Sequence, residues 1–159
     1  MHKKLSFLIL IALVFSLLNT VPSSVLAAEE VSTITVENGY YYETIISEEP
    51  SGTYGLQPVV PTTTRTKTTT MKNSNGETLW KLSITATFAY DGSVAECVSC
   101  TPNATSYNSA WTVRNLSSSR NNNSATATLI IRYTEPTGVL YQDYTKYLTI
   151  TCDPNGNVS

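Results

Sequence analysis

Histidine is nearly missing from this chain. Of 159 residues one is a histidine, at position 2, inside a segment that reads as a removable leader. The mature protein is therefore expected to lack the commonest general base and the commonest metal ligand. Charge is scarce as well: 14% of residues are charged, against about a quarter in a typical domain. Neither half is basic enough for a nucleic-acid surface. Three cysteines without a histidine fall short of the four ligands of a structural zinc site, so no metal and no cofactor is expected. There is no Gly-rich phosphate loop, no serine elbow, no internal repeat and no helical periodicity.

What is present begins with one stretch, WKLSITATFAY, Trp80 to Tyr90. Trp80, Leu82, Ile84, Ala86, Phe88 and Tyr90 alternate with Lys81, Ser83, Thr85, Thr87 and Ala89. Period-two alternation is the signature of a half-buried strand, because successive side chains leave opposite faces of the pleat. This strand is expected at the centre of an all-β core. Leu82, Ile84, Phe88, Leu129, Ile131, Leu148 and Ile150 are expected to pack there with Trp80.

Long apolar runs are confined to one place. Basic His2-Lys3-Lys4 precedes an apolar stretch from Leu5 to Leu18, and Val25-Leu26-Ala27-Ala28 supplies small residues for a cleavage site after Ala27. This is the order of a secretory signal, too short to cross a bilayer comfortably. Residues 1–27 are expected to be removed. With no lipid-anchor cysteine after the run and no hydrophobic tail, the product is expected to be released, without a stable membrane anchor.

Residues 28–61 form an acidic segment. Glu29, Glu30, Glu37, Glu43, Glu48 and Glu49 meet no Lys or Arg before Val60. Asn38-Gly39 between β-prone runs signals a tight hairpin, since a type I′ turn needs positive φ at both central residues. A Pro- and Gly-bearing connection over 47–61 follows.

Residues 62–159 are expected to form an antiparallel β-sandwich, Ig-like or a small barrel, of about six strands. The turns fall at Asn73–Gly76, Asp91-Gly92, Asn121–Asn123, Glu135–Gly138 and Asp153–Gly156, with Thr101–Ser109 expected as a loop.

Few constellations carry chemistry. The Cys97-Val98-Ser99-Cys100 spacing suggests thiol exchange, but that chemistry places its first cysteine at a helix N-terminus, and here the motif sits on a strand. One structural disulfide to Cys152 is the expected use, with Cys97 and Cys100 both open as partner. Simple alternation puts Cys97 and Cys100 on opposite faces. Asp91, Glu96, Glu135, Asp143 and Asp153 are the carboxylates from which an acid/base pair would be drawn, yet Asp91, Glu135 and Asp153 hold ordinary turn positions. No catalytic residue is expected. Four Asn-x-Ser/Thr triplets are read as incidental. The ten tyrosines are the better lead. Tyr40, Tyr41, Tyr42 and Tyr141 are candidates for exposed rings that stack on a sugar or anchor a protein partner.

The set LWKLSITATFAYDGSVAEC, an isolated Trp111, NNNSATATLIIRY and YLTITCDPNGNVS resembles a group of small uncharacterised proteins secreted by Gram-positive, often gut-dwelling bacteria. It covers residues 62–159. The resemblance implies an all-β domain and brings no activity. It also implies that Cys97 and Cys152 pair and that Cys100 is free. The expected function is a secreted, non-enzymatic binding module at or outside the cell envelope, with a glycan or protein partner. A bacteriocin-like or membrane-active product is the second expectation, weakened by the acidic charge and the lack of a basic amphipathic segment. A carboxylate-dependent hydrolase is the third.

Overall fold

The computed structural model describes residues 30–35, 39–48 and 60–159. The expected leader, Asn38 of the expected turn and residues 49–59 of the connection lie outside them.

Eight strands and no helix occur among the described residues. They are β1 (Glu30–Thr35), β2 (Tyr41–Glu48), β3 (Thr62–Lys72), β4 (Thr78–Tyr90), β5 (Ala95–Ser106), β6 (Trp111–Asn121), β7 (Ser124–Thr134) and β8 (Tyr141–Thr151). A five-stranded sheet in the order β1-β2-β3-β4-β5 faces a three-stranded sheet in the order β6-β7-β8. Every pairing is antiparallel and joins sequence neighbours.

The core forms where the two alternations meet. Trp80, Leu82, Ile84, Ala86 and Phe88 of β4 face Ala125, Ala127, Leu129 and Ile131 of β7 and Leu148 and Ile150 of β8, all buried. Every residue of the core read from the sequence is buried, and Met71, Leu79, Cys97 and Cys152 join it. Trp111 is buried between Tyr133 and Tyr144, at 5.1 and 5.8 Å between ring centroids. Burying each large apolar side chain is worth about 2 kcal/mol. The indole Nε1 of Trp80 finds no hydrogen-bond partner among the described residues. An unsatisfied buried donor costs about 1–3 kcal/mol, which offsets part of what Trp80 contributes by packing.

Two expectations are corrected along β5. Thr101–Ser109 is not a loop through most of its length, because β5 runs on to Ser106 and pairs Pro102 with Ile84. Proline fits there because β5 is an edge of its sheet, and its missing N–H falls on the unpaired side. The second correction concerns faces. A β-bulge lets Phe88 pair with Cys97 and Thr87 with Ser99, so Val98 is the extra residue and the alternation shifts by one. Cys97 opposite Phe88 and Cys100 opposite Ala86 therefore share the core side, not opposite faces. Val94 and Val98 are 63% and 42% exposed.

The strands' outer faces are polar and tied by cross-strand hydroxyl pairs. Thr64 meets Thr87 at 2.9 Å, Thr66 meets Thr85 at 2.6 Å and Thr126 meets Thr149 at 2.9 Å. The Thr-rich composition of β3 thus has a structural use, since Thr suits the pleat and the hydroxyls of Thr64 and Thr66 find partners across it. The turns seat the sequence signals as expected. Gly76 closes on Asn73, Gly138 on Glu135 and Gly156 on Asp153. Gly156, at φ +88°, lies against the Tyr90 ring, and a Cβ there would stand 2.5 Å from it.

Candidate functional site

The carboxylates are accounted for by structure. Asp91 accepts the amides of Ser93 and Val94 at 2.8 and 2.9 Å, and those bonds hold its carboxyl below the ordinary range. Asp153 accepts Nδ2 of Asn157 at 2.7 Å and the amides of Asn155 and Asn157, which lower it in the same way. Asp143 is lowered by the Arg132 guanidinium, with the charge of Arg114 adding to it. A general acid in glycoside cleavage needs a raised pKa, and these three are shifted in the opposite direction. Glu96 and Glu135 are exposed, on β5 and in the β7–β8 turn. No group of three His, Cys, Asp or Glu side chains converges among the described residues.

All three cysteines are thiols in this structure, so the Cys97–Cys152 bridge is not formed. Cys97 and Cys152 are buried at the same end of the sandwich. Their amides bond to the carbonyls of Asn122 and Asn123, which places the β6–β7 turn between them. Burial pushes the Cys97 thiol up, and neighbouring Cys100 adds to the shift. Burial likewise raises Cys152, with Asp153 contributing. Raised, buried thiols are poor nucleophiles, the reverse of what thiol exchange requires.

The tyrosines separate by position. Tyr40 and Tyr42 are half-buried against the core, and Tyr42 meets Trp80 at 5.6 Å with Lys146 Nζ 5.1 Å above its ring. Tyr41 is half-buried near the β3–β4 turn, its hydroxyl beside Gly76. Tyr141 is different: it is 64% exposed at the start of β8.

Three residues build the Tyr141 site. Arg132 and Asp143 are paired directly across β7 and β8, and Thr134 pairs with Tyr141, which sets Arg132 and Tyr141 diagonally on one outer face. Arg132 makes a two-pronged ion pair with Asp143, Nε to Oδ1 at 2.7 Å and Nη2 to Oδ2 at 2.8 Å. Its guanidinium carbon stands 4.1 Å from the Tyr141 ring centroid. The fork geometry fixes the guanidinium, and the fixed plane in turn supports one face of the ring. The other face is presented to solvent, beside a charge that Asp143 neutralises. Tyr147 lies on the same outer face, 70% exposed and six residues along β8, which is about 20 Å.

The sequence reading singled out Tyr141 but not Arg132 or Tyr147. The signal for Arg132 was the β7–β8 register about the turn at Glu135, which fixes the partner of each residue once the loop length is known. Tyr147 shares its parity with Tyr141, whereas Tyr144 has the opposite parity and packs on Trp111. Two concavities among the described residues are small. One of about 220 Å³ sits at the C-terminal turn by Asp153, and one of about 180 Å³ lies between Ile46, Lys67 and Ser159. Neither reaches the size of a usual small-molecule pocket, about 300 Å³ or more.

No protein-family model, no curated protein and no solved structure matches this chain.

Proposed function

We propose that this protein is an exported, non-enzymatic β-sandwich that binds a neutral carbohydrate at or outside the cell envelope, with Tyr141 as its contact residue. The observation that carries this reading is the exposed face of Tyr141, backed by a guanidinium that Asp143 both orients and neutralises. An aromatic ring with one supported and one open face stacks on the apolar face of a sugar ring and needs no conformational ordering to do so. The neutralised charge favours an uncharged ligand over a phosphate or a carboxylate. Tyr147 offers a second ring for an extended chain of sugars. Export rests on the leader-like order of residues 1–27.

A pull-down of residues 28–159 against cell-wall glycans, mucins and culture-supernatant proteins tests the reading. Capture on glycan that falls at least tenfold in Tyr141→Ala, with the fold intact, supports it. Equal capture of parent and variant, or capture on protein alone, contradicts it. N-terminal sequencing of secreted material should begin near Ala28.

A further inference from the structure

The two sheets differ in width. β8 packs over β3 and β4, and β1 and β2 project past it as a two-strand tongue. The core-side face of that tongue carries Ser32, Ile34, Tyr42, Thr44, Ile46 and Glu48, by register with Trp80, Leu82, Ile84 and Ala86 through β3. Lys146 lies over the Tyr42 ring, and Ser159 lines one concavity with Ser32, Thr44 and Ile46, which leaves Ile34 as the uncovered apolar position. Ile34 is 65% exposed there, and the core-side positions of β2 from Tyr42 to Ile46 are half-buried, where those of β4 from Trp80 to Phe88 are fully buried. At the same open side β8 is the edge of its sheet. Thr151 exchanges backbone hydrogen bonds with Ser159, both at 3.0 Å, so its N–H and C=O point to that edge. With a period of two, the backbone groups of Tyr141, Asp143, Thr145, Tyr147 and Thr149 point the same way, and β7 is the only strand paired with β8 among the described residues.

The geometry points to a second copy of this chain on this side, joined as a symmetric lap joint in which each tongue covers the other. Three features select it. First, strand direction agrees. The strands alternate along the chain, and β6 runs opposite to β5, since Cys100 meets Ser118 and Ser106 meets Trp111. β1 and β8 therefore run in opposite senses. A twofold axis parallel to the strands brings β1 of one copy beside β8 of the other as an antiparallel pair, and does so twice. Second, thickness and width agree. Each tongue is one sheet thick and two strands wide, so the two fill each other's step at the usual sheet spacing of about 10 Å. Third, the rotation keeps height along the strands. Ile34 then meets Tyr42 of the second copy and Ser32 meets its Thr44, as each does within its own chain.

The alternative pairing of β8 on β8 is excluded by the same step. Its twofold axis stands perpendicular to the sheets and would drive the two tongues into the same space. Among the described residues, the lap joint covers both β1 edges and the part of each β8 edge before Thr151, where Ser159 of the same chain pairs, edges that otherwise invite unspecific strand addition.

Sedimentation equilibrium of residues 28–159 under reducing conditions tests the inference, with hydrogen exchange as the second readout. The expected result is a dimer with slow exchange at three of the alternate amides between Tyr141 and Thr149, the number that the six residues of β1 can cover. Ile34→Lys, on a side chain already exposed in the single copy, should give a folded monomer in which those amides exchange at least tenfold faster. Ser32→Lys serves as the second variant should Ile34→Lys fail to fold. A parent that stays monomeric at 100 µM (about 1.4 mg/ml), species that grow beyond the dimer, or a dimer unaffected by either variant would overturn it. Loss of carbohydrate binding at Tyr141 leaves this test untouched, because the oligomer is read without a ligand.

Discussion

Arg132 holds one face of Tyr141 only while Asp143 holds Arg132. Asp143→Asn keeps the shape but loses one prong of the fork and the neutralising charge, so glycan affinity should fall less than in Tyr141→Ala and become sensitive to salt. Isothermal titration at two salt concentrations checks this. The acid response follows from the other carboxylates. Asp91, Asp143 and Asp153 all sit below the carboxylate value of 3.8 in the folded chain. A depressed folded pKa contributes stability that is complete above the unfolded value and is lost as pH falls through the folded one. Tm should therefore be flat from pH 7 to about 5 and drop below about pH 4. Asp153→Ala should flatten that acid drop, and thermal melts between pH 2 and 7 would show it. The thiols give a third residue-scale test. Unfolded, unreduced protein should bind three equivalents of thiol reagent. In the native state Cys100 should react well before the buried Cys97 and Cys152. Only one reactive thiol in the unfolded chain would mean that a bridge has formed.

β4 and β5 show at the scale of elements what a sequence can and cannot reveal. β4 was legible because from Trp80 to Phe88 its apolar and polar residues alternate without a break, and the apolar set there is wholly buried. Ile84→Ala should accordingly cost about 2–5 kcal/mol in chemical denaturation. Thr85→Ala should cost about 0.2–1, since the hydroxyl pairs with Thr66 across the sheet. β5 was misread for two physical reasons. Proline and asparagine signal a loop in any strand but an edge strand, and edge position is a property of the whole sheet. The bulge at Val98 resets the alternation and is invisible to a period-two count, which is why the cysteine faces came out wrong. Arg120 marks the bulge from the far side, its guanidinium donating to the Val98 carbonyl. Gly156→Ala tests the C-terminal turn. Positive φ and the Tyr90 ring together should make it cost about 1–3 kcal/mol, read in the same denaturation series.

For the whole molecule, composition and periodicity sufficed for an all-β sandwich, since alternating faces in β4, β7 and β8 have to be buried against one another. They were silent on how the sheets divide, five strands against three, because that depends on where the chain crosses between layers at Ser106–Trp111. The Tyr141 site was legible by half. The ring stood out among the tyrosines, while its support came from register. The most direct measurement of the central claim is an amide-shift titration of the ¹⁵N-labelled mature protein with neutral oligosaccharides released from cell wall and mucin. The account predicts saturable shifts centred on Tyr141, Arg132 and Asp143, extending to Tyr147 with longer oligosaccharides, and no change in the sugar itself. Shifts centred on Asp91 or Asp153 together with cleaved oligosaccharide, or no shifts at millimolar sugar, would contradict it.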